Sequence, residues 1–300
     1  MRIKIFFIPV FFVLIFTVPS LGAGAYSYND DNTVIGLTKT YKVKDNESLI
    51  EIARKLGLGY NEIVDANPDL DAFVPGVGMS VKIPTSWILP DVDVYDGIVI
   101  NLSEMRLYYF FEIKGIKLVK TFPVGIGSEM NNTPVGRFRI VKKTVKPSWY
   151  VPESIRKKKP WLPKVIPPGS GNPLGSYAFK LSLGDILIHG TNRPWSIGRK
   201  ATHGCIRMYP ENISELFRLV PEGAEVNIVQ QPVKVGIRND KIYIEVHKDE
   251  HEKNTDYFNE TIHLLNMKNL LKKINLEKLH QALQEKNGIP VEISNWDSRN

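Results

Sequence analysis

Residues 188–208 read IHGTNRPWSIGRKATHGCIRM, and this stretch holds the only cysteine of the 300-residue chain. Cys205 stands two residues after His203 and sixteen after His189. A thiol is a strong nucleophile only as its thiolate, and a nearby imidazole can accept the proton. The stretch therefore predicts a cysteine nucleophile with a histidine base.

The pattern alone leaves open which histidine is the base. On an extended segment His203 and Cys205 share one face, whereas His189 ends a predicted strand and depends on the fold to reach the sulfur. Gly190 and Gly204 allow close approach of a substrate and expose backbone N–H groups, which an oxyanion hole requires. These glycines favour a reactive thiol over a cysteine that is merely packed in a core.

A zinc site is the competing interpretation of one cysteine and two histidines. Structural zinc sites show closely spaced ligand pairs and a fourth partner, and neither is evident near Cys205. We therefore predict no metal and no other cofactor.

The first 25 residues have the pattern of an export signal. Arg2 and Lys4 precede an apolar run from Ile5 to Val18, and Ala23-Gly24-Ala25 offers a small-residue cleavage site. We predict a signal peptide at residues 1–25, with an uncleaved membrane anchor as the alternative, and no stable membrane span after cleavage. A lone cysteine in an oxidising compartment cannot form an internal disulfide, which fits a free functional thiol.

The composition is that of a globular protein, with 43% hydrophobic and 24% charged residues and a net charge of +7. A basic surface suits an anionic envelope polymer. Nucleic acid is not an expected partner, because an exported protein rarely meets it.

Residues 39–84 are predicted to form a small unit with the order strand, helix, helix, strand. Thr40 to Val43 alternate as a strand does, and Ser48 with Glu51 forms a capping box at the start of the first helix. This unit resembles a lysin motif (LysM), and the matching residues are Tyr41-Lys42-Val43, Ser48-Leu49, Ile52-Ala53, Ile63, Ala66-Asn67-Pro68, Gly78 and Ile83-Pro84. The resemblance implies binding to the N-acetylglucosamine-rich glycan of peptidoglycan, although Asn46-Glu47 stands where the family has Gly-Asp. The alternative is a structural module that has kept the fold and has lost its affinity for the glycan.

Residues 85–95 are interpreted as a linker, and residues 96–230 as a domain of short β-rich runs. Within that domain, residues 146–175 form a Pro-rich stretch without a clear period, typical of a binding loop or lid. Residues 231–300 are predicted to form a β-hairpin followed by a helical extension. The predicted fold class is mainly β.

The domain at 96–230 resembles the L,D-transpeptidase (YkuD-like) catalytic domain. The resemblance rests on His189-Gly190-Thr191, Gly198, Thr202 to Met208, Ile98 to Leu102 with Arg106 to Tyr109, Pro123 to Gly127, and Thr133 to Gly136. It implies a mixed-sheet β-sandwich, with Cys205 as the nucleophile and His189 as the base, its ring oriented by the carbonyl of Gly190. His203 and Gly204 would shape the pocket, with backbone N–H groups near Gly204 and Cys205 as oxyanion donors.

Four further residues are predicted to contact the substrate: Thr202, Arg207, Trp149 and Tyr150. The alternatives are a structural salt bridge for Arg207 and plain hydrophobic anchoring for the two aromatic residues.

The resemblance implies a periplasmic enzyme that acts on peptidoglycan stem peptides. The cysteine would attack the diaminopimelate–D-Ala bond and pass the acyl group to an amine, namely another diaminopimelate, the lysine of an outer-membrane lipoprotein or a D-amino acid, or to water. The alternatives are a non-catalytic peptidoglycan-binding envelope protein and a cysteine L,D-carboxypeptidase.

Overall fold

The computed structural model describes residues 24–248 and 255–295. The predicted signal peptide lies outside the described residues except for its last two positions. Within the described ranges, no helix is both long enough and apolar enough to cross a membrane.

The N-terminal unit consists of short strands around two helices. Its elements are β1 (Tyr26–Ser27), β2 (Val34–Gly36), β3 (Lys39–Lys42), α1 (Leu49–Lys55), α2 (Tyr60–Asp65), β4 (Ser80–Ile83) and β5 (Ser86–Ile88). β3 pairs antiparallel with β4, so the predicted order of strand, helix, helix, strand is confirmed. The predicted capping box is also present, because Ser48 Oγ accepts from the Glu51 N–H and Glu51 accepts from the Ser48 N–H.

The segment 85–95, interpreted from sequence as a linker, contributes a strand to this unit. β5 pairs antiparallel with β2, and Trp87, Ile88 and Leu89 are buried. This apolar run between two prolines is too short to show a period, yet it packs into the core. The N-terminal unit is therefore joined to the rest of the chain by packed structure.

The central domain is built on a ten-stranded sheet in the described part of the chain. Its elements are β6 (Gly97–Asn101), β7 (Arg106–Ile113), β8 (Ile116–Gly127), β9 (Gly136–Val145), β10 (Trp149–Tyr150), α3 (Glu153–Lys158), β11 (Val165–Ile166), β12 (Tyr177–Leu181), β13 (Leu187–His189), β14 (Lys200–Thr202), β15 (Ile206–Met208), α4 (Pro210–Leu219) and β16 (Glu225–Val229). The strand order runs β1, β8, β15, β13, β12, β9, β16, β6, β7, so β1 from the N-terminal segment lies beside β8. The tenth strand, β14, pairs with β8 off this path, and β7 pairs with β8 again.

This closure comes from the 12-residue length of β8. Its first part pairs with β7, and its last residues pair with β15 and β14. The mainly β class with mixed strand directions is confirmed, and the sheet closes on itself instead of forming two separate layers. Apolar side chains such as Ile98, Phe179 and Ile206 fill its interior, together with Ile213 and Leu216 of α4.

The Pro-rich stretch 146–175 has more structure than its sequence indicates. β10 pairs antiparallel with β11, and α3 lies between them. The side chain of Asn172 is fully buried, and its Nδ2 donates to the carbonyl of Pro147 at 2.8 Å. Hydrogen bonds of a side chain to distant carbonyls carry no periodic signal, so the sequence did not show this anchor.

The C-terminal region forms the predicted hairpin and helices. Its elements are β17 (Val233–Arg238), β18 (Lys241–Val246), α5 (Tyr257–Met267), α6 (Leu276–Glu285) and β19 (Val291–Glu292). A buried polar cluster connects the hairpin to the central domain: Lys234 Nζ lies 2.9 Å from Glu104 and 3.0 Å from Glu245, which in turn bonds His247 at 2.7 Å. Glu104, Glu245 and His247 have the spacing of metal ligands, but the ammonium of Lys234 already supplies the cation.

A second buried ion pair connects the N-terminal unit to the central sheet. Arg106 of β7 donates to both carboxylate oxygens of Glu62 in α2, at 2.8 and 2.7 Å. The two side chains are 1% and 5% exposed. Trp87 donates to Glu62 at 3.0 Å, and the Arg106 guanidinium lies 4.1 Å from the centre of its ring. Removing either charge leaves the other buried without its partner.

We predict that Arg106→Ala lowers the free energy of unfolding by about 3–5 kcal/mol, because the Glu62 carboxylate stays buried and uncompensated. Arg139→Ala is the matched control, since the Arg139–Glu225 pair is exposed and such pairs contribute about 0–1 kcal/mol. Denaturant titration of both variants measures the difference. Equal losses for the two variants would contradict this prediction.

Candidate active site

The pairing of β13 with β15 determines where His189 and Cys205 lie. The two strands are parallel, with Ile188 opposite Ile206 and His189 opposite Arg207. Ile188 and Ile206 are fully buried in the sheet interior. Because side chains alternate along a strand, His189 and Arg207 lie on the other face. Cys205, two residues before Arg207, begins on that same face, so the fold brings the sulfur and the buried histidine to one site.

The ring of His189 is held in a single tautomer. Its Nδ1 lies 2.6 Å from the carbonyl oxygen of Gly190. A carbonyl can only accept a hydrogen bond, so Nδ1 carries the proton and Nε2 presents a lone pair. The side chain is 4% exposed, and burial, reinforced by the charge of Arg207, lowers the pKa of His189 to about 4. The imidazole of His189 is therefore neutral at physiological pH.

The thiol of Cys205 is half-buried, with Sγ 3.8 Å from the carbonyl oxygen of Asp185. Burial raises the pKa of Cys205, and the carboxylate of Asp185 adds to the effect. The backbone N–H of Leu187 and the charge of Arg207 act in the opposite direction, because both stabilise a thiolate. In the free protein Cys205 is thus a thiol, and the N–H of Leu187 and the charge of Arg207 stabilise the thiolate when it forms.

A tight turn from Thr202 to Cys205 presents the sulfur. The Thr202 hydroxyl donates to the Cys205 carbonyl at 2.6 Å and accepts from the Gly204 N–H at 3.2 Å. Gly204 has φ of +97°, a conformation that side chains disfavour, and an added Cβ would lie 3.1 Å from Ile186. The Gly204 N–H is therefore engaged inside the turn, whereas the N–H of Cys205 has no acceptor within the described residues.

Thr133 supports this turn from outside. Its hydroxyl donates to the carbonyl of Gly204 at 3.0 Å and accepts from the N–H of Gly127 at 2.9 Å. The side chain is buried. Thr133 belongs to the matching stretch Thr133 to Gly136, but its role was not predicted, because a threonine 71 positions away from Gly204 shows no local sign of this contact.

The turn opens into a cleft of about 1080 Å³. The predicted site residues that line it are Cys205, His189, His203, Arg207, Thr202, Trp149 and Tyr150. Gly190 and Gly204 contribute backbone groups, as described above. His203 is exposed, and partial burial with nearby Lys158 lowers its pKa. Tyr150 is 75% exposed, whereas Trp149 is half-buried.

The cleft also has side chains that the sequence did not single out. Trp161 and Trp195 are large aromatic residues that are exposed at 75% and 60%. Lys159, Arg193 and Arg199 add positive charge to the lining. In the described part of the chain, Asp185 is the acidic residue of this lining, and it pairs with Lys180 at 3.5 Å. The cleft is therefore suited to an anionic ligand.

Arg207 makes no structural ion pair in the part of the chain that the structure describes. Among the described residues no carboxylate lies within salt-bridge distance of it, and its Nε is buried without a hydrogen-bond partner. Burial and the neighbouring Arg193 lower the pKa of Arg207. The alternative of a structural salt bridge is thus wrong for this residue.

Two family models match the chain. Residues 95–228 match the L,D-transpeptidase catalytic domain, and residues 41–84 match the LysM domain. The chain is 32% identical over 299 residues to the probable L,D-transpeptidase ErfK/SrfK of Salmonella typhimurium, covering 95% of each chain. It is 36% identical over 259 residues to the probable L,D-transpeptidase YbiS of Escherichia coli, covering 82% of each. Among solved structures, the catalytic domain of the E. faecium L,D-transpeptidase is 20% identical with a TM-score of 0.35, covering 46% of this chain and 99% of that one.

We predict that His189 stays neutral with its proton on Nδ1 from pH 5.5 to 8 and titrates near pH 4, because its ring is buried. Long-range ¹H–¹⁵N spectra of histidine-labelled protein measure both the tautomer and the midpoint. His189→Gln identifies the signal by its loss. A midpoint near 6.5, the value for a solvated ring, would contradict the placement of this histidine.

Proposed function

The chain belongs to the YkuD family of L,D-transpeptidases, and from this premise we propose that it is a peptidoglycan L,D-transpeptidase with Cys205 as its nucleophile. The proposal rests on one observation: Cys205 and a neutral, oriented His189 line the same cationic cleft.

The first step is acylation of the sulfur by a donor stem. As Cys205 Sγ approaches the carbonyl carbon of the diaminopimelate–D-Ala bond, its proton moves to Nε2 of His189. The S–C bond forms, the C–N bond breaks, and the imidazolium returns the proton to the departing D-alanine amine. The product is a thioester on Cys205 and free D-alanine, with no metal or cofactor required.

The backbone of the 202–205 turn suits the charge that develops in this step. A tetrahedral intermediate puts negative charge on the former carbonyl oxygen, and a fixed N–H donor stabilises it. The N–H of Cys205 fills this role, while Thr202 and Gly204 maintain the shape of the turn. His203 forms part of the cleft wall, and Arg207 supplies positive charge for a substrate carboxylate or the thiolate.

The second step transfers the acyl group to an amine. A neutral amine attacks the thioester, His189 accepts the amine proton, and the C–S bond breaks. The departing sulfur takes that proton from the imidazolium, which restores the thiol and the neutral imidazole. A second diaminopimelate would give a 3-3 cross-link, and a lipoprotein lysine would give a protein anchored to the wall. The aromatic residues Trp149 and Tyr150 are placed to line the donor groove.

The LysM match supports a location at the cell wall. We propose that the module binds peptidoglycan glycan and that the first 25 residues direct the chain to the periplasm, where donor stems are present. Hydrolysis alone would make the protein a carboxypeptidase. Dependence of product formation on an added amine separates the two activities.

We predict that a carbapenem forms a stable covalent adduct with the purified mature protein through Cys205. The strained lactam acylates the sulfur as the donor stem does, and intact-mass spectrometry measures the gain of one drug mass. Cys205→Ala should gain none. An equal adduct on Cys205→Ala, or none on the wild type, would refute the assigned nucleophile.

Thr202 provides a second test, because its hydroxyl is hydrogen-bonded to the backbone on both sides of the turn. We expect Thr202→Val to lower the acylation rate at least about tenfold, since it removes two hydrogen bonds at the nucleophile. Thr202→Ser should keep most of the rate. Stopped-flow measurement of carbapenem acylation gives the rates, and a wild-type rate for Thr202→Val would show that the hydroxyl is dispensable.

A further inference from the structure

The LysM module lies directly against the segment that connects the two catalytic strands. At the start of α2, the N–H of Tyr60 donates to the carbonyl of Ile197 at 3.1 Å, and the N–H of Asn61 donates to that of Gly198 at 3.3 Å. The chain leaves β13 after His189 and reaches Cys205 by way of this segment. The module therefore contacts the backbone that carries the wall of the cleft.

The contact at Gly198 is too close for any side chain. Gly198 has φ of +76°, and a Cβ there would lie 2.2 Å from the backbone nitrogen of Tyr60. On the opposite side, a Cβ on Gly59 would lie 3.0 Å from the Cα of Gly198. Backbone approaching backbone in this way requires glycine on both sides, and it fixes the segment against the module.

Next to this contact, Tyr60 holds an arginine of the cleft. The guanidinium of Arg199 lies 3.4 Å from the centre of the Tyr60 ring. Both side chains are half-buried, and Arg199 lines the same cleft as Cys205. In the described part of the chain, no carboxylate pairs with Arg199. The arginine is thus oriented by an aromatic face, while its charge stays available to a ligand.

The rest of the interface makes the module a fixed part of the enzyme and not a tethered anchor. Besides the Arg106–Glu62 pair, Arg54 of α1 binds Glu211 of α4 at 3.0 and 3.2 Å. The hydroxyl of Tyr209 donates to the carbonyl of Leu58 at 3.2 Å. Apolar residues of both units form one continuous core.

We propose that Arg199 binds a carboxylate of the donor stem peptide and that Tyr60 of the LysM module is the positioning residue that holds it there. The module then forms part of the peptide site, in addition to any glycan that it binds. This inference rests on the proposed function, because it needs a stem peptide as the donor. Such stems bear several free carboxylates, and a guanidinium binds carboxylate well.

A soluble donor tetrapeptide without glycan separates the two roles of the module, because glycan anchoring cannot affect it. With this donor we expect Tyr60→Ala to raise KM about fivefold or more, with kcat changed less than twofold. Tyr60→Phe retains the ring and should retain the KM. An unchanged KM in Tyr60→Ala would overturn the proposal.

Tyr41→Ala is the matched control. Tyr41 is also a half-buried tyrosine of the module, and its ring lies 5.5 Å from a cation, but that cation is Lys55 of the same module. We expect Tyr41→Ala to leave KM for the soluble tetrapeptide unchanged. If both alanine variants raise KM equally, the effect is general loosening of the module, and the proposal fails.

Arg199→Ala tests the carboxylate contact without altering the module. Its KM should rise at least as far as that of Tyr60→Ala, and the double variant should be no worse than Arg199→Ala alone, because both changes remove one interaction. Donors amidated at one carboxylate at a time identify the group. For the donor that lacks the carboxylate bound by Arg199, wild type and Arg199→Ala should have the same KM.

The proposal is overturned if the effects of the two substitutions on KM are additive. It is also overturned if amidation of each carboxylate changes KM by the same factor for wild type and for Arg199→Ala. If the wild-type protein does not turn over the tetrapeptide at all, the proposed function fails. If it does so and Tyr60→Ala matches it, the function stands and only this inference is lost.

Discussion

The chemistry of this protein depends on the parallel pairing of two three-residue strands, β13 and β15. Their register is fixed by the burial of Ile188 and Ile206 inside the closed sheet. A shift of either strand by one residue would turn its own isoleucine outward, and His189 and Cys205 would no longer lie on the same face. The hydrophobic core therefore determines the geometry of the reactive pair.

Burial sets the protonation of that pair as well as its position. The low pKa of His189 and the raised pKa of Cys205 mean that the free protein holds a neutral imidazole and a thiol. The mechanism that we propose then has to move a proton as the substrate arrives, and a buried base with a fixed tautomer would do so with little rearrangement. Positive charge from Arg207 lowers the energy of the thiolate in the same step.

The sequence predicted the mainly β fold and the capped helix at Ser48, because each depends on local spacing or on a long motif. It also singled out the segment around Cys205, which the structure places in a cleft together with His189. It did not show that residues 85–95 pack as a strand, since Trp87 and its neighbours form too short a run to show a period. The supports from Thr133 and Tyr60 were also missed. Both act through contacts between residues far apart in the chain, and such contacts leave no pattern in a single sequence.

In the proposed mechanism, Cys205 carries the acyl group of the donor between the two half-reactions. A rapid quench of the mature protein with a purified disaccharide–tetrapeptide, followed by peptide mass spectrometry, tests it directly. We expect a disaccharide–tripeptide acyl group on Cys205 and one released D-alanine for each acyl group formed. Two results would rule this out. One is release of D-alanine with the acyl group on another residue. The other is release of D-alanine without any acyl-enzyme, when quenching is fast and no acceptor is present.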